Sequence, residues 1–126
     1  MAAGLVLVAG CTDRPSPAFE ERGRAVREEV TLEVMSNQYL DVVVYMGEPG
    51  AWHRAGDVTG LGSATLRMPS IVGPLPGSYW IRAHGIGSPD GADYLAGPVN
   101  LGPGDVIELR LASVLRMSSW SLRSLR

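Results

Sequence analysis

The sequence predicts an all-β domain: a two-layer antiparallel sandwich of seven short strands over residues 29–112. Three observations predict it. From Glu29 onward, apolar and polar residues alternate with a period of two, the signature of half-buried strands. Turn signals built from Gly, Pro, Asn and Asp interrupt that alternation at short, regular intervals, the spacing of a sandwich or barrel. No stretch in this region carries the 3.6-residue period of a long helix.

The elements follow in order. Val30, Leu32 and Val34 alternate with Thr31 and Glu33. A turn at Ser36-Asn37-Gln38 leads into Leu40–Met46, rich in β-branched residues that suit a pleated surface. Glu48-Pro49-Gly50-Ala51 places Pro and Gly at the centre of a type II turn, where Pro presets φ and Gly tolerates a positive φ. The chain returns through Trp52–Val58, turns at Gly60 and Gly62, and resumes with Ala64, Leu66 and Met68 facing one way. Residues 69–77, PSIVGPLPG, read as a crossover between sheets. Tyr79, Ile81 and Ala83 then alternate with Trp80, Arg82 and His84. After the loop 85–93, Tyr94–Leu101 is interrupted by Gly97 and Pro98, which assigns it to an edge. Gly102-Pro103-Gly104-Asp105 repeats the turn chemistry, and Ile107, Leu109 and Leu111 complete the seventh strand.

Composition fits one domain. The chain has 126 residues, 45% of them apolar and 19% charged, enough apolar material for a core and too little charge for global disorder. The net charge of −2 gives no electrostatic basis for nucleic-acid binding. One Cys and two His exclude a disulfide framework and a zinc site made of Cys and His within one chain.

The amino terminus reads as an address. Ala2 to Ala9 are all apolar or Gly, too short a run to span a bilayer but the length of a signal-peptide core. It ends in Leu7-Val8-Ala9-Gly10-Cys11, which resembles the lipobox of bacterial lipoproteins. The resemblance implies cleavage after Gly10, a diacylglycerol on the Cys11 thiol, and a mature protein held in the cell envelope; no cofactor is assigned. Thr12, in place of Asp, favours the outer over the inner membrane in that family. No Lys or Arg precedes the apolar run, a departure from the pattern that points to a start upstream of Met1. Residues 11–28 then form the lipidated Cys and a tether. They contain Pro15 and Pro17 and are dense in charge, the composition of a solvated spacer. A short helix through Phe19, Val26 and Val30 is the alternative, weakened by Gly23.

Two stretches carry a second resemblance. Leu75-Pro76-Gly77-Ser78-Tyr79-Trp80-Ile81-Arg82-Ala83, and Val99-Asn100-Leu101-Gly102-Pro103-Gly104-Asp105 followed by Ile107-Glu108-Leu109-Arg110-Leu111, look like a strand and the closing hairpin of transthyretin-like and carboxypeptidase-regulatory-like sandwiches, which are Ig-like in layout. Together they cover about a sixth of the chain. The resemblance implies a small envelope-side module for binding or spacing, without catalysis.

The candidate chemistry lies on the strand surfaces. If Tyr79, Ile81 and Ala83 face inward, Trp80, Arg82 and His84 face outward beside Tyr45, and the four make a candidate contact surface for an envelope protein or a glycan. A metal site would need His53 and His84 to converge with a carboxylate such as Asp57, and none is assigned. Asp90 and Asp93 read as turn residues rather than calcium ligands, because the loop lacks an EF-hand's ligand density. No nucleophile elbow, phosphate loop or fixed carboxylate pair occurs, so no catalytic residue is assigned and a non-enzymatic role is expected. The tail, 113–126, places Val114, Leu115, Met117, Leu122 and Leu125 on half of a helical circumference opposite its arginines, a segment able to lie on anionic lipid. Extension of the last strand is the alternative. The expectation is thus a membrane-anchored, non-catalytic binding module. A structural subunit of an envelope assembly is the rival reading, and an enzyme using His53 or His84 the weaker one.

Overall fold

A computed structural model describes residues 29–124. The expected leader, the expected lipidation at Cys11 and the expected tether lie outside the described residues. Eight strands run through the described part: β1 (Thr31–Ser36), β2 (Val42–Glu48), β3 (Ala51–Val58), β4 (Ser63–Arg67), β5 (Gly77–Gly85), β6 (Tyr94–Leu101), β7 (Val106–Leu111) and β8 (Ser119–Arg123). They form two four-stranded sheets, ordered β4-β1-β7-β8 and β3-β2-β5-β6. The molecule is the all-β sandwich the alternation predicts. Neighbouring strands are antiparallel except β1 and β7, which run parallel with Leu32 beside Ile107 and Val34 beside Leu109.

The alternation becomes the core. Leu32 and Val34 of β1, Val42, Val44 and Met46 of β2, Ile81 and Ala83 of β5, and Ile107, Leu109 and Leu111 of β7 are essentially solvent-free. In these four strands alternate side chains fill the space between the layers, and most of the intervening residues cover the outside. Gly50 and Gly104 adopt φ of +91° and +84°, the left-handed geometry that their Pro-Gly turns require.

The crossover to β5 is pinned rather than loose. Its centre is a 3₁₀ turn at Ser70–Val72, and the Tyr79 hydroxyl donates to the Pro74 carbonyl at 2.5 Å. At the far end of the sandwich, Gln38 donates through Nε2 to the Ser113 carbonyl at 2.8 Å, and Asp41 accepts from the Gly60 amide at 2.8 Å. These bonds tie loops from both layers together, so the outer faces are carried on a fixed frame.

The tail corrects one expectation. Residues 113–124, the described part of the tail, do not form an amphipathic helix. A 3₁₀ turn at Leu115–Met117 leads into β8, which pairs antiparallel with β7. The free edge of β7 offers a row of backbone donors and acceptors, and pairing satisfies them. The Ser118 hydroxyl also accepts the Ala112 amide at 2.9 Å and fixes the turn. The sequence carried the signal: Trp120 and Leu122 alternate with Ser119, Ser121 and Arg123, a period of two.

Candidate binding face

The outer face of the β3-β2-β5-β6 sheet gathers the aromatic and charged residues. Cross-strand partners share a face, so the register fixes which side chains stand together. Gly47 lies between Trp52 of β3 and Trp80 of β5. One row on, Tyr45 lies between Arg54 and Arg82. In the next row, Val43 lies between Asp57 and His84. Val43 faces outward yet is only 5% exposed, because its neighbours cover it. Ser78 of β5 stands opposite Asn100 of β6, and the two side chains are hydrogen-bonded.

The loop between β5 and β6 folds back to complete the face. Asp93, at its end, accepts the Arg82 Nε–H at 2.6 Å with one carboxylate oxygen and meets His84 Nδ1 at 2.6 Å with the other. Its side chain is only 8% exposed. Asp90, in the 3₁₀ turn Asp90–Ala92, stands further out, 3.6 Å from Arg82 Nη2 and 3.7 Å from His84 Nδ1. The Arg82 guanidinium lies 5.5 Å from the centre of the Tyr45 ring, within cation–π range. Beyond it, Tyr94 begins β6, and burial pushes its phenol up from the ordinary 10.0.

Tyr45, Trp80, Arg82 and His84 therefore stand on one face, as the alternation implies. Sequence reading missed their supports. It weighed Asp90 and Asp93 apart from Arg82 and His84, yet the four form one network. It also passed over Trp52, whose place opposite Gly47 depends on the β2–β3 register. That register shifts at a bulge between Val44 and Tyr45, which simple alternation does not foresee.

The His53, His84 and Asp57 constellation does not form. His53 pairs with Met46, which is buried in the core, so its side chain belongs to the inner side of the sheet, whereas His84 pairs with Val43 on the outer side. The residues with metal-ligand geometry are instead His84, Asp90 and Asp93, whose donor atoms lie within 4.8 Å of one another. Arg82 already supplies positive charge to both carboxylates, so a cation there would meet a guanidinium a few ångströms away. His84 and Asp93 also form a His–carboxylate pair of the kind used in general-base catalysis. The serine in the adjoining loop, Ser88, donates its hydroxyl to the Gly85 carbonyl at 2.8 Å and not to the imidazole.

The opposite outer face is different in character. On the β4-β1-β7-β8 sheet, Arg123 bridges Glu108 at 2.5 Å and Glu33 at 3.3 Å, among Thr65, Arg67 and Ser121. No aromatic residue stands on that outward side among the described residues. No helix of the described residues is long and apolar enough to cross a membrane.

No family model matches the chain, and no curated protein matches it. Among solved structures, the chain is similar to an NMR structure of a protein from Eubacterium rectale. The match covers 78% of this chain and 91% of that one, at 10% sequence identity and a TM-score of 0.45.

Proposed function

We propose that the chain is a bacterial envelope lipoprotein, anchored through lipid on Cys11, whose sandwich is a non-catalytic binding module. The observation that carries the binding role is the asymmetry of the two outer faces. One is mostly polar, with Arg123 paired to Glu33 and Glu108 and Met35 its exposed apolar residue. The other holds Tyr45, Trp52 and Trp80 half-exposed, with Arg82 locked beside them. Trp, Tyr and Arg dominate binding energy at interfaces, and a side chain held in place before binding loses less entropy when a partner arrives. The lipobox resemblance supports the anchor, and Thr12 favours the outer membrane.

Envelope crosslinking and pull-down with the full chain test this reading. The lipidated chain is expected in the membrane fraction with a captured partner, and Cys11→Ala is expected to leave that fraction. A Cys11→Ala chain that stays in the membrane fraction, or an intact mass matching an unmodified Met1 start, removes the anchor. A lipidated Trp80→Ala chain that keeps every crosslink removes the binding face.

A second reading has its own support. Trp120 and Leu122 of β8 pair with Leu109 and Ile107, so they point to the inner side, yet they remain 37% and 41% exposed. An open edge strand with uncovered apolar side chains favours a structural subunit of an assembly. Concentration-dependent sedimentation of the chain distinguishes that case.

A further inference from the structure

We infer that the Trp80 and Trp52 face binds a neutral, unbranched, β-linked glycan, which deepens the binding role proposed above and rests on it. The argument starts from how Trp80 is seated. A Cβ added at Gly97 would lie 3.0 Å from Cδ2 and 3.1 Å from Cε3 of the Trp80 ring. The indole therefore rests against the β6 backbone where no side chain rises, and Trp80 remains partly exposed. Protein hot spots are anchors that fill recesses in the partner. A plate resting on the sheet suits a flat ligand instead. The C–H face of a pyranose with equatorial substituents is such a surface, and its weakly positive hydrogens are drawn to the negative face of an aromatic ring.

Trp52 adds direction. It occupies the same row as Trp80, with Gly47 between them. The two backbones are separated by two strand spacings, about 9.6 Å. Two aromatic side chains in one row across the sheet suit a ligand extended along that row, as a linear β-linked chain is. Gly47 raises no side chain between them.

The polar groups set the charge of the ligand. Arg54 is paired with Asp57 at 3.5 Å, and Arg82 with Asp93 at 2.6 Å and Asp90 at 3.6 Å. Asp57, Asp90 and Asp93 outnumber Arg54 and Arg82, so the face has no surplus positive charge to recruit an anion, and a neutral ligand suits it better. Ser78 and Asn100, two positions before Trp80 on the sheet, offer a hydroxyl and an amide. Asp90, 85% exposed, offers a carboxylate that accepts from sugar hydroxyls.

The full chain carrying Cys11→Ala, in detergent solution, is titrated with cellohexaose and with chitohexaose, followed by calorimetry and tryptophan fluorescence. Oligogalacturonate is the anionic control. Saturable binding of at least one neutral hexasaccharide is expected, with no preference for the anionic one. Trp80→Ala and Trp52→Ala should each weaken it about tenfold, the scale of one aromatic stacking contact. Trp80→Phe, which keeps a plate, should remain within a few-fold of the parent and controls for folding. No saturable binding of either neutral sugar, a preference for the anionic one, or binding indifferent to Trp80→Ala overturns the inference. If neither sugar binds while Trp80→Ala still abolishes envelope crosslinks, the glycan is wrong and the binding face stands with a protein partner. If Trp80→Ala changes neither readout, both fail.

Discussion

Asp93 is the residue on which the order of the outer face depends. Its two carboxylate oxygens face two donors, Arg82 Nε and His84 Nδ1, each at 2.6 Å. Asp93→Asn keeps the shape but replaces one acceptor with a donor, which then opposes one of those partners. Urea denaturation should show a loss of about 1–3 kcal/mol, the usual cost of an unsatisfied, largely buried polar group. Asp90→Asn, at an 85% exposed side chain, should stay within about 0.5 kcal/mol. Tyr94 predicts a pH effect. Burial raises its phenol, so the unfolded chain loses that proton first. Its effect on stability is absent below pH 10.0 and destabilising as pH rises beyond it. Tyr94→Phe should therefore lose less stability between neutral and strongly alkaline pH than the parent, as read by melting temperature. The sequence showed Arg82 and His84 pointing outward, because alternation within one strand is local. It did not show Asp93 beneath them, because a loop's return path depends on packing that spacing alone does not encode.

At the scale of elements, inward direction and burial separate at β8. Ile107 and Leu122 are cross-strand partners on the same side of the sheet, but one is solvent-free and the other 41% exposed. Ile107→Ala should cost about 2–5 kcal/mol, as expected for a cavity in a closed core. Leu122→Ala should cost less than half as much, because water already reaches the site. Thermal or chemical denaturation of the two variants checks this. Equal losses would mean that β8 is covered by a part of the chain outside the described residues or by a second molecule. The seven strands from Val30 to Leu111 were legible because a two-residue period or a β-branched run is bounded by turn residues such as Gly, Pro, Asn and Ser. β8 was obscured because its five residues, Ser119–Arg123, sit in a stretch whose leucines also fit a helical period. A free strand edge decides between those periods, and only the assembled sheet supplies one.

At the scale of the whole molecule, the sandwich separates its two outer faces by chemistry. Sequence could assign side chains to faces strand by strand. It could not order the strands, and the parallel β1–β7 ladder joins segments with most of the domain between them. Only that order brings Trp52, Gly47 and Trp80 into one row and leaves the Glu33, Glu108 and Arg123 network on the far side. The central claim is that the protein works through the aromatic face. A photo-crosslinking residue replacing Leu95, outward beside Arg82, or Thr65, outward beside Glu33, tests it in the native envelope. Adducts are expected from position 95, lost on Trp80→Ala, with background alone from position 65. Equal adducts from both positions, or adducts at 95 that survive Trp80→Ala, would contradict the account.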